Sequence, residues 1–258
     1  MKKSENVGNN ALIDDLTSYY RDQLGHHDYE RRVADRLNRI RGKTVINRLQ
    51  EITVLKGKKI LEVGSGWGEI CIEACNAGGT VVGLEPNFKR IRLVSKSETT
   101  NSFPFFIQGM GEAIPCKDGL FDIIICHGVL EHVVSIERTL EEMVRVLKQK
   151  GIMFLSCPNY LFPFEGHYEV WFPPLCPKRI AQMYLKIRGK NPRFIEHINY
   201  TTPYLVYRCL KKCSITVKNI FLEKQKRRKP RNKLIHIFRI IQNKLQLYFS
   251  IEWLVMKQ

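Results

Sequence analysis

The chain has 258 residues, 44% of them apolar and 10% aromatic, which is enough to bury a sizeable core and excludes a disordered chain. No apolar run is long enough to span a bilayer, and the opening Met1-Lys2-Lys3-Ser4-Glu5-Asn6 leads into polar residues rather than a secretory signal; a cytoplasmic protein is expected. The net charge of +17 predicts attraction to something anionic.

In chain order, residues 1–55 read as an N-terminal helical cap, with Val33, Leu37, Ile40 and Ile46 spaced for one helix over Asp28–Leu49. Residues 56–258 then read as one α/β domain. Lys59–Val63 is a predicted strand, followed by a glycine turn and a helix over Trp67–Asn76. Strands are predicted at Thr80–Leu84, Phe103–Gln108, Phe121–Cys126 and Gly151–Ser156, with helices at Phe88–Ser97 and Glu131–Lys148. A loop rich in proline and aromatic residues covers Cys157–Pro177, and loops of this length inside a domain tend to be functional. Helices at Lys178–Ile187 and Pro203–Lys212 and strands at Ser214–Phe221 and Ile251–Met256 complete the pattern, with a basic amphipathic insert at 222–249. This alternation predicts a seven-stranded, mainly parallel Rossmann-like sheet with helices on both faces. Ligands of such sheets bind at the carboxyl ends of the strands.

The first strand and its turn read Ile60-Leu61-Glu62-Val63-Gly64-Ser65-Gly66-Trp67-Gly68-Glu69. Gly64 and Gly66 allow a tight bend that lets backbone approach a ligand. A dinucleotide fingerprint needs glycine where Glu69 stands, and that acid would repel a pyrophosphate. Glu62, an acid at the end of an apolar strand, suits a cationic ligand group. Glu85, at the tip of the second strand, is placed to accept both hydroxyls of a ribose. Trp67 reads as a helix-packing residue. None of the eight cysteines forms a CxxC pair, so a zinc ribbon is not expected; Cys71/Cys75 and Cys209/Cys213 have the spacing of small buried residues on helices, and reduced thiols follow.

Together Glu62-x-Gly64-x-Gly66, Glu85, Gln108-Gly109-Met110-Gly111-Glu112-Ala113-Ile114-Pro115 and Phe121-Asp122 resemble the class I S-adenosylmethionine-dependent methyltransferases. Leu130-Glu131-His132-Val133, Arg145-Val146-Leu147-Lys148 and Cys157-Pro158-Asn159 are similar to the ubiquinone/menaquinone-type and related small-molecule group. The resemblance covers roughly Lys58–Asn159. It implies S-adenosyl-L-methionine as cofactor, with Glu62 and the Gly64-Ser65-Gly66 turn at its methionine end, Glu85 and Pro86 at the ribose, Met110, Gly111 and Glu112 near the adenine, and His127 beside the sulfonium. Members of this group usually carry an acid where Met110 stands, so adenine recognition here would rest on backbone groups.

Methylation of a hydroxyl needs a base as well as alignment. His132 and His167 are the candidates, and Glu165 and Tyr168 beside His167 are expected to face the substrate. Some quinone O-methyltransferases place Glu-x-x-Glu-His here to support a divalent ion; Gly128 takes the first acid position, so no essential metal is expected. The fourth strand leads into Cys126-His127-Gly128-Val129 and carries neither the Asn/Asp-Pro-Pro-aromatic nor the Pro-Cys motif of base methylation, so nucleic acid is an unfavoured acceptor. Basic charge gathers at Lys224–Lys244 around Leu234-Ile235-His236-Ile237-Phe238, a pattern that suits an anionic membrane surface on the inner face as well as a solvated helix. Pro158-Asn159 and Glu165-Gly166-His167-Tyr168 resemble loops of bacterial methyltransferases associated with surface polysaccharides. The expected acceptor is therefore a sugar or lipid-linked small molecule. A quinone precursor, an RNA, or a catalytically silent cofactor-binding subunit are the alternatives.

Overall fold

A computed structural model describes residues 2–97, 103–213, 215–220, 242 and 244–257. Its strands are β1 (Lys59–Val63), β2 (Thr80–Glu85), β3 (Phe105–Gln108), β4 (Phe121–His127), β5 (Leu147–Pro158), the short pair β6 (Phe164–Glu165) and β7 (Val170–Trp171), β8 (Ile215–Asn219) and β9 (Ser250–Lys257). Its helices are α1 (Lys2–Thr17), α2 (Tyr29–Leu37), α3 (Ile40–Gln50), α4 (Glu69–Asn76), α5 (Phe88–Ser97), α6 (Ile136–Val146), α7 (Lys178–Ile187), α8 (Arg193–Glu196) and α9 (Pro203–Leu210). One π-helical stretch, Ser18–Gln23, follows α1.

Seven strands form one sheet in the order β3-β2-β1-β4-β5-β9-β8. The first five are parallel, and β9 runs antiparallel to both β5 and β8. This is the predicted sheet. The central strands are apolar at successive positions because both faces are covered. Leu61, Val63 and Ile124 pack with Leu140 and Met143 of α6 on one face, while Ile60, Ile123 and Ile125 pack with Leu49 of α3 and Ile70 of α4 on the other. A third apolar cluster joins Leu12, Leu16 and Tyr20 of the N-terminal segment to Trp67 and Val94, and to Tyr168 and Phe172 of the loop after β5. The N-terminal helices thus lie on the sheet domain and on that loop together.

Beyond shifts of a few residues at the ends of other elements, such as the fifth strand beginning at Leu147 rather than Gly151, three features differ from the sequence reading. The helix expected over Asp28–Leu49 is two helices, because Arg39 adopts the left-handed conformation (φ 55°) and turns the chain between α2 and α3. The helix expected from Glu131 starts at Ile136, where the Ser135 hydroxyl accepts from the Arg138 N–H at 3.2 Å as an N-cap. Glu131 and His132 therefore sit in the turn ahead of α6, not on it. The predicted loop after β5 carries the β6–β7 pair. Most of the insert expected at 222–249 lies outside the described residues.

Gly42 sets how closely α3 approaches α4: a Cβ there would lie 2.4 Å from the Glu69 carbonyl oxygen. Gly42→Val is expected to destabilise the protein by about 1–3 kcal/mol through forced separation of the two helices. Thermal unfolding should show a lowered Tm; an unchanged Tm would mean the helices can part freely.

Candidate active site

A cavity of ≈ 320 Å³ opens at the carboxyl ends of β1, β2 and β4. Its floor is the turn after β1. Gly64 and Gly66 both take positive φ, 70° and 55°. A Cβ on Gly64 would meet Val129 Cγ2 at 2.5 Å, whereas the space above Gly66 is open, leaving a cradle that any side chain would begin to fill. The Gly66 N–H donates to Glu85 Oε2 at 2.9 Å, and Asn87 N–H donates to Oε1 at 3.1 Å. Glu85 thus ties the glycine turn to the tip of β2 and keeps acceptor capacity on both oxygens, as an ionised carboxylate can.

Of the residues expected to hold a cofactor, Gly64, Gly66, Glu85, Pro86, Met110, Gly111, Glu112 and His127 line this cavity. Glu112 has a structural duty as well, since its Oε1 accepts from Val134 N–H at 2.7 Å and Ser135 N–H at 3.2 Å. Ser65 is a correction: its hydroxyl is fully buried, outside the cavity lining. Glu62 also lies behind the lining, buried, with no hydrogen-bond partner for Oε2 among the described residues. Burial pushes its pKa up to about 8. His127 ends β4 with an unpartnered buried Nδ1 among the described residues, and burial, followed by Arg41 and Arg36, holds its pKa down to about 3, so it is neutral.

Sequence reasoning missed the N-terminal contribution. Arg36 of α2 and Arg41 of α3 line the cavity and share the buried Glu69 carboxylate; Arg36 bonds Oε2 closely and Arg41 Nε lies 3.1 Å from it. Two guanidinium groups against one carboxylate leave a cationic excess at the cavity wall. Burial and the neighbouring Arg36 pull Arg41 below the ordinary arginine value. Trp67, read as a packing residue, lines the cavity; its Nε1 donates to Asp15 at 3.0 Å, and Arg90 lies 4.4 Å from the ring. The only sequence signal was the arginine-rich helix itself, which periodicity could not aim at a distant strand tip.

The other end of the cavity carries the histidines. His132 and Phe194 line it; the His167 ring stands behind them, 5.2 Å from His132 and 5.1 Å from Phe194 by ring centroids. Glu165 Oε1 lies 2.7 Å from His167 Nδ1, and Glu165 Oε2 accepts from Tyr168 N–H at 2.7 Å. His26 Nε2 lies 2.7 Å from the His167 carbonyl oxygen. Glu165 and Tyr168 are corrections: both are buried and absent from the lining, and the Tyr168 hydroxyl donates to the Asn191 carbonyl. Glu165 orients His167, and the Tyr168 N–H holds Glu165 in turn. Burial alone would lower the His167 pKa, but the Glu165 hydrogen bond and charge outweigh it and raise the value. Burial and His167 press His132 down to about 4.

Glu131 Oε1 is 3.9 Å from both His132 Nε2 and His167 Nε2. These three side chains offer donor atoms within 4.8 Å of one another, a set able to hold a divalent ion. Counting ligands along the Gly128–His132 stretch did not reveal it, because His167 arrives from another loop.

A family model described as methyltransferase domain matches residues 61–155. That stretch runs from β1 to β5 and carries the glycine turn and the tips of β2 and β4. An uncharacterized methyltransferase of Mycobacteroides abscessus is 30% identical over 145 residues, 55% of this chain and 56% of the relative. One from Mycolicibacterium gilvum is 32% identical over 141 residues, 55% of each chain. The chain thus spans about half the length of the curated relatives it matches. The solved structure of magnesium protoporphyrin IX methyltransferase from Synechocystis with bound SAH aligns over 95% of this chain and 94% of its own, with TM-score 0.58 and 13% identity. An S-adenosylmethionine-dependent methyltransferase from Mesorhizobium loti covers 80% of this chain and 94% of its own, with TM-score 0.54 and 13% identity. The fold is the one shared with these two structures, whose own cofactor is S-adenosylmethionine or its product SAH.

The residues present fit that cofactor. The open cradle over Gly66 admits a nucleoside, Glu85 offers acceptors for ribose hydroxyls, the orphaned Glu62 Oε2 suits an ammonium, and the Arg36–Arg41 excess suits a carboxylate. Arg41→Ala is expected to weaken cofactor binding roughly 10- to 100-fold by calorimetry, the equivalent of one hydrogen bond to a charged group; unchanged affinity would remove Arg41 from the site. Glu62 has its folded pKa raised above the ordinary 4.5, so its contribution to stability is fully present below that value and lost as pH rises through about 8. Glu62→Gln should flatten that part of the apoprotein's stability–pH curve while weakening cofactor binding.

Proposed function

We propose that the chain is an S-adenosylmethionine-dependent methyltransferase that methylates a hydroxyl oxygen of a sugar or lipid-linked small molecule. The observation that carries this reading is the buried Glu165–His167 pair standing behind His132 at the cavity wall. A carboxylate fixed on Nδ1 leaves Nε2 of the same ring, 3.9 Å from Glu131 Oε1, to take a proton, which is what a hydroxyl acceptor requires and a pre-ionised acceptor does not.

S-adenosylmethionine supplies an activated methyl group when bound. The chain's own residues align the acceptor and remove its proton. Glu85, with Gly66 tied to it, fixes the nucleoside end; Glu62 and Arg41 fix the amino-acid end. His132 and Phe194 form the wall against which the acceptor rests. His132, held near 4, is a weak base at neutral pH, while Glu165 makes His167 the stronger one. Tyr160 adds a hydroxyl bond of 3.2 Å to Glu165 and helps keep that carboxylate in place.

His167→Ala is expected to lower turnover roughly 10²–10⁴-fold while leaving cofactor affinity nearly unchanged. Equal turnover would remove His167 from the chemistry. The base reading also predicts that turnover survives treatment with a chelator. Loss of turnover, restored by a divalent ion, would instead assign Glu131, His132 and His167 to a metal. Transfer of labelled methyl groups into fractionated lysate, with mass spectrometry of the product, identifies the acceptor; cofactor binding without transfer into any fraction would favour the silent-subunit reading.

A further inference from the structure

Helix α7 has two apolar faces. Ala181 and Leu185 are fully buried, and Tyr184 meets Phe172 ring to ring at 6.2 Å, so one face is docked on the domain. The opposite face carries Ile180, Met183 and Ile187, which are 56%, 65% and 81% exposed. At about 100° per residue these three fall within roughly 60° of one another, a continuous outward stripe. Arg179 and Lys186 border the stripe on one side and Arg188 on the other; none of the three meets an acid among the described residues. The helix Lys178-Arg179-Ile180-Ala181-Gln182-Met183-Tyr184-Leu185-Lys186-Ile187 contains no Asp or Glu.

We infer that this outward face of α7 docks on an anionic lipid surface. The charge pattern decides the occupant. An apolar stripe rimmed by unpaired cations matches a headgroup layer, which takes the apolar side chains into its acyl boundary and neutralises the rim. A ten-residue helix is about 15 Å long and offers far less than the roughly 800 Å² per partner of a stable protein interface. A membrane needs no matching shape. The docked helix would also hold the cavity mouth near the lipid. The Lys178 ammonium donates to the Glu196 carbonyl at 2.6 Å and the Gln182 amide to the Glu196 carboxylate at 2.8 Å, so α7 is pinned to α8, whose Phe194 lines the cavity.

This inference goes beyond the O-methylation reading and stands without it, since lipid binding is read with no acceptor present. The test is co-sedimentation of the full chain with vesicles of phosphatidylcholine alone and of phosphatidylcholine mixed with phosphatidylglycerol. The wild-type protein should sediment with the mixed vesicles and not with the neutral ones. An Ile180→Ser/Met183→Ser/Ile187→Ser variant and an Arg179→Glu/Lys186→Glu variant should each lower that partition about tenfold or more. Both should keep wild-type cofactor affinity, which confirms that they fold. The basic stretch Lys224–Lys244 is present in every variant, so it cannot produce the difference. Variants that sediment like wild type would overturn the inference. So would wild-type protein that stays in the supernatant, that binds neutral vesicles equally, or whose serine variant changes only its self-association in sedimentation velocity.

Discussion

The hydrogen bond from the Gly66 N–H to the Glu85 carboxylate is the constraint on which the site depends. It joins the bend after β1 to the tip of β2, so the two polar features at the edge of an apolar sheet become one surface. The Gly64 and Ser65 N–H groups both donate to the Leu84 carbonyl, at 2.8 and 2.9 Å, which fixes the bend from the other side. A backbone turn held in this way is preorganised: it can meet a nucleoside without first losing conformational freedom.

Around that bend the chain buries charge at a cost that only a ligand or a partner can offset. Arg36 and Arg41 share Glu69, while Glu62 lies close by with an unmatched oxygen. A zwitterionic amino-acid tail would complete this arrangement, placing an anion against the guanidinium excess and a cation against Glu62. At the far wall the same principle operates differently. Glu165 is satisfied by His167, Tyr160 and the Tyr168 N–H, whereas Glu131 Oε2 has no partner among the described residues, and burial raises the Glu131 pKa to about 7. The first carboxylate orients a ring; the second stays buried beside the two histidines with one oxygen unmatched.

The sheet was legible in the sequence because parallel strands covered on both faces must be apolar at every position, and their order of appearance dictates the alternation. The places of Glu62, Gly64, Gly66 and Glu85 at the ends of β1 and β2 were legible for a related reason: each is local to one strand end, so spacing along the chain equals placement in space. Arg36 and Arg41 were not, because a helix that crosses back over the sheet is positioned by tertiary packing, including the close contact that Gly42 permits. The burial of Glu165 and Tyr168 was not legible: proximity to His167 in sequence cannot say which side of the ring faces the cavity. The break at Arg39 was hidden because apolar spacing continued through it at nearly helical intervals.

In the proposed reading the cavity receives an adenosine and an amino-acid tail in one fixed orientation. A crystal structure of the protein with S-adenosylhomocysteine tests this most directly. The account predicts ribose hydroxyls on the Glu85 carboxylate and the amino-acid tail between Glu62 and Arg41. A nucleoside seated away from Glu85, or a dinucleotide pyrophosphate occupying the Gly64–Gly66 bend in its place, would contradict it.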